Sequence, residues 1–437
     1  MTPALEVAVI GAGWAGLSAA VEASAAGARV TVFDMAPAAG GRARDVAMVD
    51  GGMLDNGQHI CIGAYRETLR LLRHVGVDPE EAFRRTPPTL VDADGRGLRL
   101  RAGAPALAFV RAVLARAGWS WRERIALLRL AARWRRAGFA CAPQATVALL
   151  TASLPEAVRR DFVEPLCVAA LNTPSAAASG AVFLRVIRDA LAGGRGAADL
   201  LLPRRSLGAL FPAPARAWLE RAGATFHLGR RVDRVDHDSA GWRVDGLWAD
   251  RVVIATSAVE AARLARPHDA AWAARAAALR YEPIVTVYAR STGAALPEPM
   301  LALRADAARP AQFVFDRGQL GGEPGLLAFV ISGAASWVER GSTATETATL
   351  AQAAEALAPH LGAPLELART IVEKRATFAC TPGLERPAEV IAPGLFAAGD
   401  YIEGPYPATL EGAVRSGVAA GRAAAAPVGR ESGAVPS

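Results

Sequence analysis

Hydrophobic positions near the start of the chain follow three periods in quick succession. Glu6 to Ile10 is a short apolar, β-branched run, the mark of a buried strand. It breaks into Gly11, Ala12, Gly13, Trp14, Ala15 and Gly16, after which Leu17 to Ala26 reads as an alanine-rich helix. Arg29 to Phe33 alternates as a second strand and ends at Asp34. Farther along, Leu228 to His237 alternates and predicts a strand, and Asp250 to Thr256 predicts a buried strand running into a small-residue turn. Near the end, Gly394 to Asp400 predicts a strand running into a Gly-Asp turn, and Pro407 to Ala413 opens another alanine-rich helix. Strand, turn and helix in this order predict an α/β fold with a Rossmann-type nucleotide unit.

The glycine spacing carries chemistry. Gly11 permits the tight turn, Gly13 lets backbone approach a pyrophosphate, and Gly16 lets the helix pack close on the strand. With Trp14 and Ala15 they form the candidate dinucleotide contact, because a helix N-terminus offers unpaired N–H groups to phosphate. Asp34 stands where an acid bonds ribose hydroxyls and disfavours a 2′-phosphate. A second glycine turn, Gly40, Gly41 and Arg42, adds a guanidinium with fork geometry suited to the pyrophosphate.

Composition limits the remainder. At 437 residues the chain exceeds one ordinary core, which predicts more than one domain. No apolar stretch approaches the roughly 20 residues of a membrane-spanning helix, and no export signal is read at the N-terminus. Four cysteines, Cys61, Cys141, Cys167 and Cys380, have no short-spaced pair, which predicts reduced thiols, a cytoplasmic setting and no metal cluster. The net charge of +7 suits nucleic acid, an anionic membrane or a merely basic average. Without a zinc-finger, RNP or basic-zipper pattern, nucleic acid is not expected as a partner.

The glycine fingerprint, its acid and the Gly-Gly-Arg-Ala turn together resemble the FAD domain shared by amine oxidases, protoporphyrinogen oxidases and phytoene desaturases. The resemblance implies FAD as cofactor, with Val232 beside the adenine and Gly399-Asp400 at the ribityl-phosphate region. It also implies Thr409, Leu410 and Glu411 at the flavin N1/C2 edge, where a helix N-terminus faces the negative charge of reduction. Leu54, Asp55, Asn56, Gly57, Gln58 and His59, followed by Ile60 to Tyr65, resemble more narrowly the hydroxysqualene dehydroxylases, the squalene-associated FAD-dependent desaturase group. That resemblance spans nearly the whole chain. It implies hydroxysqualene as substrate, squalene as product, and a separate electron donor or reductase, since no second nucleotide fingerprint occurs. Asp34 is a departure, as many flavoproteins of this superfamily carry Glu there.

Protonating the leaving hydroxyl needs an acid, and His59, Glu411 and Lys374 are the candidates. Lys374 is the single lysine of the chain, which suggests a cramped site where an arginine fork does not fit, or a surface survivor of compositional bias. The FAD domain is expected to be discontinuous, over 1–90, 201–264 and 366–437, interleaved with an α+β substrate domain over 91–200 and 265–365. Within the latter, residues 105–139 mix tryptophan and leucine with eight arginines against Glu123 alone. This fits a helix pair lying in an anionic membrane surface, at the inner face of the cytoplasmic membrane, or a hairpin packed on the protein with a solvated basic face. The rival functions are a carotenoid desaturase or amine oxidase running the flavin in the opposite direction, and an isoprenoid-binding protein without flavin.

Overall fold

The computed structural model describes residues 4–47, 52–101, 103–239 and 241–427. Strand Glu6–Ile10 lies at the centre of a six-stranded sheet, paired in parallel with Arg29–Asp34 and Arg251–Ile254. Thr225–Leu228 and Leu395–Ala397 extend the parallel part, and Val390–Ala392 closes one edge antiparallel. Neighbours on both sides explain why the central strand reads as a continuous apolar run. Its alternate residues divide between two cores. Val7 and Val9 face a helical layer, whereas Ala8 and Ile10 face Trp242 and Val244 of the antiparallel strands Val235–Asp238, Gly241–Val244 and Leu247–Ala249.

The helical layer explains much of the alanine content. Helix Trp14–Ala25 packs against the C-terminal helix Leu410–Ala425 almost backbone to backbone. A Cβ on Gly417 would stand 2.1 Å from the Ala15 carbonyl oxygen, and one on Gly421 would stand 2.4 Å from that of Ala19. Small residues are the only ones that allow this approach, so N-terminal and C-terminal segments close on one another over the nucleotide turn.

The alternating stretch from Leu228 to His237 is not one strand. The chain leaves the sheet at Gly229, whose φ of +72° turns it, and Arg230 N–H then donates to the Asp34 carbonyl. Burial now recurs every third residue, at Val232 and Val235, rather than every second. Pairing resumes only at Val235, and the intervening loop lies across the end of the Asp34 strand.

A second, antiparallel sheet orders Met300–Ala302, Phe313–Asp316, Leu326–Ile331, Tyr281–Arg290 and Glu366–Phe378. Glu366–Phe378 pairs along most of Tyr281–Arg290, so this sheet runs past the boundary drawn at residue 366 from the sequence. One of its faces packs on the helices Ala335–Arg340 and Ser342–Leu357. The other, with Phe313, Phe315 and Val330, is turned inward. Leu200–Pro203 pairs with Cys61–Ile62 and Phe83–Thr86, tying the two sheets' segments together.

Residues 105–139 form a helical hairpin, Pro105–Ala115 and Trp121–Arg136. Val113, Trp119, Leu127, Leu130 and Trp134 are buried in the main core, so one side of the pair is packed on the protein. Leu107, Val110, Leu114, Trp121 and Ile125 remain exposed. Glu123, the lone acid, is used locally: it forms a capping box with Ser120. No helix among the described residues is long and apolar enough to cross a membrane. All four cysteines are unpaired, and burial pushes the thiols of Cys61, Cys167 and Cys380 up to about 12, which leaves them protonated and unreactive.

Candidate active site

Between the two sheets lies a cavity of about 1060 Å³, whose wall runs from the nucleotide turn to the inward face of the second sheet. It exceeds the roughly 300–1,000 Å³ usual for one small ligand. At one end Gly11, with φ +114°, makes the turn, and a Cβ there would strike the Ala255 carbonyl oxygen at 2.4 Å. Gly40 N–H donates to the Ala12 carbonyl at 2.8 Å, so the two glycine turns predicted separately lie side by side. Gly13 faces Gly41 with only 3.7 Å between its would-be Cβ and the Gly41 Cα, and both line the cavity. Trp14 and Ala15 also line it, and the Trp14 indole donates to the Ala43 carbonyl, fixing the start of the helix. The Gly16 backbone is pressed against that of Gly11, so this residue shapes the turn without lining the cavity.

Asp34 is held at the cavity wall by N–H donors from Ala12 at 2.6 Å and Ala36 at 2.7 Å. Val232 is buried beside it on the loop described above, its carbonyl accepting from Arg263 at 2.6 Å. The Arg42 guanidinium reaches across to Asp400 at 2.6 Å and donates to the Ala376 carbonyl at 2.8 Å, joining the two glycine-bearing ends of the chain at the cavity wall, a role additional to the expected pyrophosphate contact.

Gly399 sits under the Tyr401 ring, which a Cβ would meet at 2.4 Å, and Ser416 Oγ accepts from its N–H. Thr409 caps the C-terminal helix through Gly412 N–H at 3.0 Å, and both Thr409 and Leu410 line the cavity. Glu411 does not. It is fully buried on the opposite side, accepting from Glu67 N–H, Thr68 N–H and Thr68 Oγ1 at 3.1, 3.0 and 2.8 Å. It therefore serves the unpaired first turn of helix Arg66–His74, as an anion suits a helix N-terminus. Burial raises its pKa, opposed by those bonds.

The segment Asp55 to His59 lies between these ends. Gln58 donates to Tyr288 Oη and accepts from Arg317, both at 2.8 Å, and Tyr288 in turn donates to the Asp55 carbonyl. Asp55 is buried, and burial lifts its carboxyl to about 6 despite Arg317 at 3.5 Å and the Leu207 N–H. This network fixes Gln58 at the cavity wall. Gly57, at φ +91°, turns the chain so that His59 also lines it. Burial lowers the His59 pKa, and the Arg42 charge lowers it further, so the ring is neutral near pH 7 and is a weak proton reservoir. Lys374 is exposed on the outer strand and lines nothing, so a cramped site does not account for it; its neighbour Glu373 faces the cavity and accepts from Asn56.

Two contrasting variants check these placements. Glu411→Ala removes the acceptor of three buried donors and is expected to lower unfolding stability by about 2–4 kcal/mol. Lys374→Arg is expected to stay within roughly 0.5 kcal/mol with unchanged turnover. Urea unfolding of the two variants measures both.

Beyond Gln58 and His59 the walls turn apolar, with Ile62, Leu166, Val182, Val186, Phe313 and Phe315. Arg185, Asp189, Asn172, Thr286 and Ser332 are among the polar lining groups that the spacing of residues did not reveal, and Tyr65 and Tyr406 line the wall beside them.

A family model described as flavin containing amine oxidoreductase matches residues 14–425. The chain belongs to this family. It is 27% identical to a hydroxysqualene dehydroxylase of Sinorhizobium fredii, over 94% of this chain and 95% of that one. It is 29% identical to a hydroxysqualene dehydroxylase of Rhodopseudomonas palustris, over 95% and 99%. A zeta-carotene desaturase of Zea mays is 34% identical over only 24% of this chain and 19% of its own. Among solved structures, an oxidoreductase from Methanosarcina mazei aligns at a TM-score of 0.72 and 18% identity, covering 95% of this chain and 99% of that one, which establishes the shared fold.

The enzyme is an FAD-dependent oxidoreductase, and its residues fit the cofactor. The paired glycine turns leave a cradle that a Cβ at Gly13 would begin to fill. Tyr401 places a buried hydroxyl with no hydrogen-bond partner among the described residues in the cavity wall, beside Asp400. Gly11, Gly13, Asp34 and Val232 would hold the adenosine and pyrophosphate; Asp400, Tyr401, Thr409 and Leu410 would hold the flavin end. Bound there, FAD supplies hydride transfer at the flavin ring, while the chain supplies binding, orientation and exclusion of water.

Proposed function

We propose that this enzyme catalyses the reductive dehydroxylation of hydroxysqualene to squalene. The observation that carries the reading is the single cavity, in which a dinucleotide cradle opens directly into an apolar chamber with few polar groups. Near-full-length similarity to two hydroxysqualene dehydroxylases supports this choice of substrate. Two electrons and two protons convert the alcohol to hydrocarbon and water; reduced FAD would supply both electrons and one proton as hydride, and the second proton, from solvent, ends in the water. A separate reductase or reduced carrier restores it. The chamber's apolar walls suit an isoprenoid chain, at about 0.8 kcal/mol per CH₂ removed from water. His59 and Gln58 stand where the polar and apolar parts of the cavity meet, and Gln58, fixed by Tyr288 and Arg317, is an orienting group. Offering the chemically reduced enzyme hydroxysqualene and the oxidised enzyme phytoene side by side tests the reading. Squalene from the first and no product from the second is expected; desaturated phytoene without squalene would replace it by the carotenoid reading.

The same reading includes attachment to an anionic membrane on the cytoplasmic side. In its support, Leu107, Val110, Leu114, Trp121 and Ile125 are exposed on the helical hairpin, together with Arg111, Arg122, Arg129 and Arg133, none of them ion-paired among the described residues. Helix Pro105–Ala115 also packs on helix Gly180–Ala192, which lines the cavity, so lipid contact and substrate chamber are one element apart. Each arginine near an anionic surface contributes about 1 kcal/mol. Trp121→Glu with Ile125→Glu is expected to weaken sedimentation with phosphatidylglycerol-containing vesicles at least tenfold, about 1.4 kcal/mol, and to leave the flavin spectrum unchanged. Equal sedimentation of the variant would remove the hairpin from the account.

A further inference from the structure

Helix Gly180–Ala192 brings Arg185 and Asp189, one turn apart, to a stretch of the cavity wall shared with Leu166, Val182 and Val186. An amphipathic helix ordinarily turns such a pair to bulk solvent. Arg185 Nε and Asp189 Oδ2 stand 3.5 Å apart, yet neither atom is hydrogen-bonded to a described residue, although both are shut off from water. The rest of the Arg185 guanidinium is likewise in no hydrogen bond among the described residues, and 40% of its side chain is exposed. Asp189 is more committed. Its other oxygen takes Arg188 Nε at 3.3 Å, and its carboxylate lies against the Tyr406 phenol, which burial and then the Asp189 charge keep protonated. Tyr65 packs edge-on to Tyr406 with centroids 6.0 Å apart, and Thr409 Oγ1 donates to the Tyr406 carbonyl. The cluster thus adjoins the start of the C-terminal helix, at the flavin end of the cradle.

Two arginines to one aspartate leave the cluster with net positive charge. A guanidinium with unused N–H donors in an apolar chamber is matched by a ligand oxygen, and a hydrocarbon leaves it unmatched. An amine is opposed by that net positive charge. The neutral oxygen of an alcohol suits the exposed part of the Arg185 guanidinium, from which it accepts.

We propose that Arg185, paired with Asp189, binds the hydroxyl of the substrate alcohol and thereby distinguishes substrate from its hydrocarbon product. The identity of that alcohol rests on the function proposed above. Hydride from the reduced cofactor would form the new C–H bond as the C–O bond breaks; the C–O electron pair moves to oxygen, the guanidinium opposes the charge that develops there, and a proton from solvent completes water. A product without oxygen makes none of these contacts and is released more readily.

The test uses FAD-loaded, oxidised enzyme titrated with hydroxysqualene and with squalene in detergent micelles, read by the flavin absorbance. Wild type is expected to bind the alcohol about ten- to a hundredfold more tightly than the hydrocarbon. Arg185→Met should bring the two affinities within about threefold while flavin content and squalene affinity are kept, and Arg185→Lys should restore part of the difference. Asp189→Asn, which preserves shape, should give an intermediate loss. Variants that keep both flavin and the full preference would overturn the assignment. A wild type that prefers geranylgeraniol over its parent hydrocarbon but not hydroxysqualene over squalene keeps the hydroxyl subsite and overturns the substrate instead; preference for no alcohol overturns both.

Discussion

Gly16→Val is expected to yield protein without bound flavin, recovered poorly or in aggregates. A Cβ at this position would lie 1.8 Å from the Gly11 carbonyl oxygen and 3.1 Å from the Ala255 Cβ, and neither a backbone carbonyl nor an alanine methyl can give way by a rotamer change. Overpacking a core typically costs about 1–3 kcal/mol, and a backbone clash in the nucleotide turn lies at or above that range. The turn must open to accept the side chain, and opening it moves Gly11 and Gly13 out of the cradle. Flavin content by absorbance, together with thermal unfolding, measures the outcome. Normal flavin content in a stable Gly16→Val protein would show that the helix does not need this contact with the turn.

Arg42→Met is expected to produce the second-largest effect, because it strands the Asp400 carboxylate. That side chain is 8% exposed, and Arg42 is its ion-pair partner at 2.6 Å. Breaking a fully buried pair costs about 3–5 kcal/mol. The guanidinium here retains 39% exposure, which places the expected loss near 2–3 kcal/mol. The same substitution frees the strand end at Ala376 from the glycine turn, so FAD affinity should fall by at least tenfold as well. Urea unfolding and flavin titration of the apoprotein separate the two losses. Asp400→Asn in the Arg42→Met background should recover part of the stability, since no buried charge then lacks its partner.

The nucleotide end was legible because its constraints are local. Gly11 needs a positive φ, and the strand, turn and helix needed around it follow within thirty residues. Asp34 and Gly399-Asp400 were legible for the same reason, each standing at the end of an apolar strand. Val232 reached the cavity as expected, but by a loop: alternating composition from Leu228 to His237 concealed a turn at Gly229, where departure from the sheet edge outweighs β-propensity. Glu411 shows the limit of reading by neighbourhood. Thr409, Leu410 and Glu411 are consecutive, yet helical geometry sends the third to a different face, and a second helix start, unseen in the sequence, draws its carboxylate away. Lys374 carried only compositional information. Arg185 and Asp189 were not singled out in the sequence, because an i, i+4 spacing carries no site signal by itself; only long-range packing of their helix against the cavity gives them a role. Residues 105–139 form a hairpin with one side buried in the core and the other exposed, an outcome that composition without long-range packing could not specify.

Anaerobic mixing of the dithionite-reduced enzyme with hydroxysqualene tests the central claim most directly. Return of the oxidised-flavin absorbance in step with formation of squalene is the result expected from a cradle that opens into an isoprenoid chamber. Flavin that stays reduced while hydroxysqualene is recovered unchanged would contradict it.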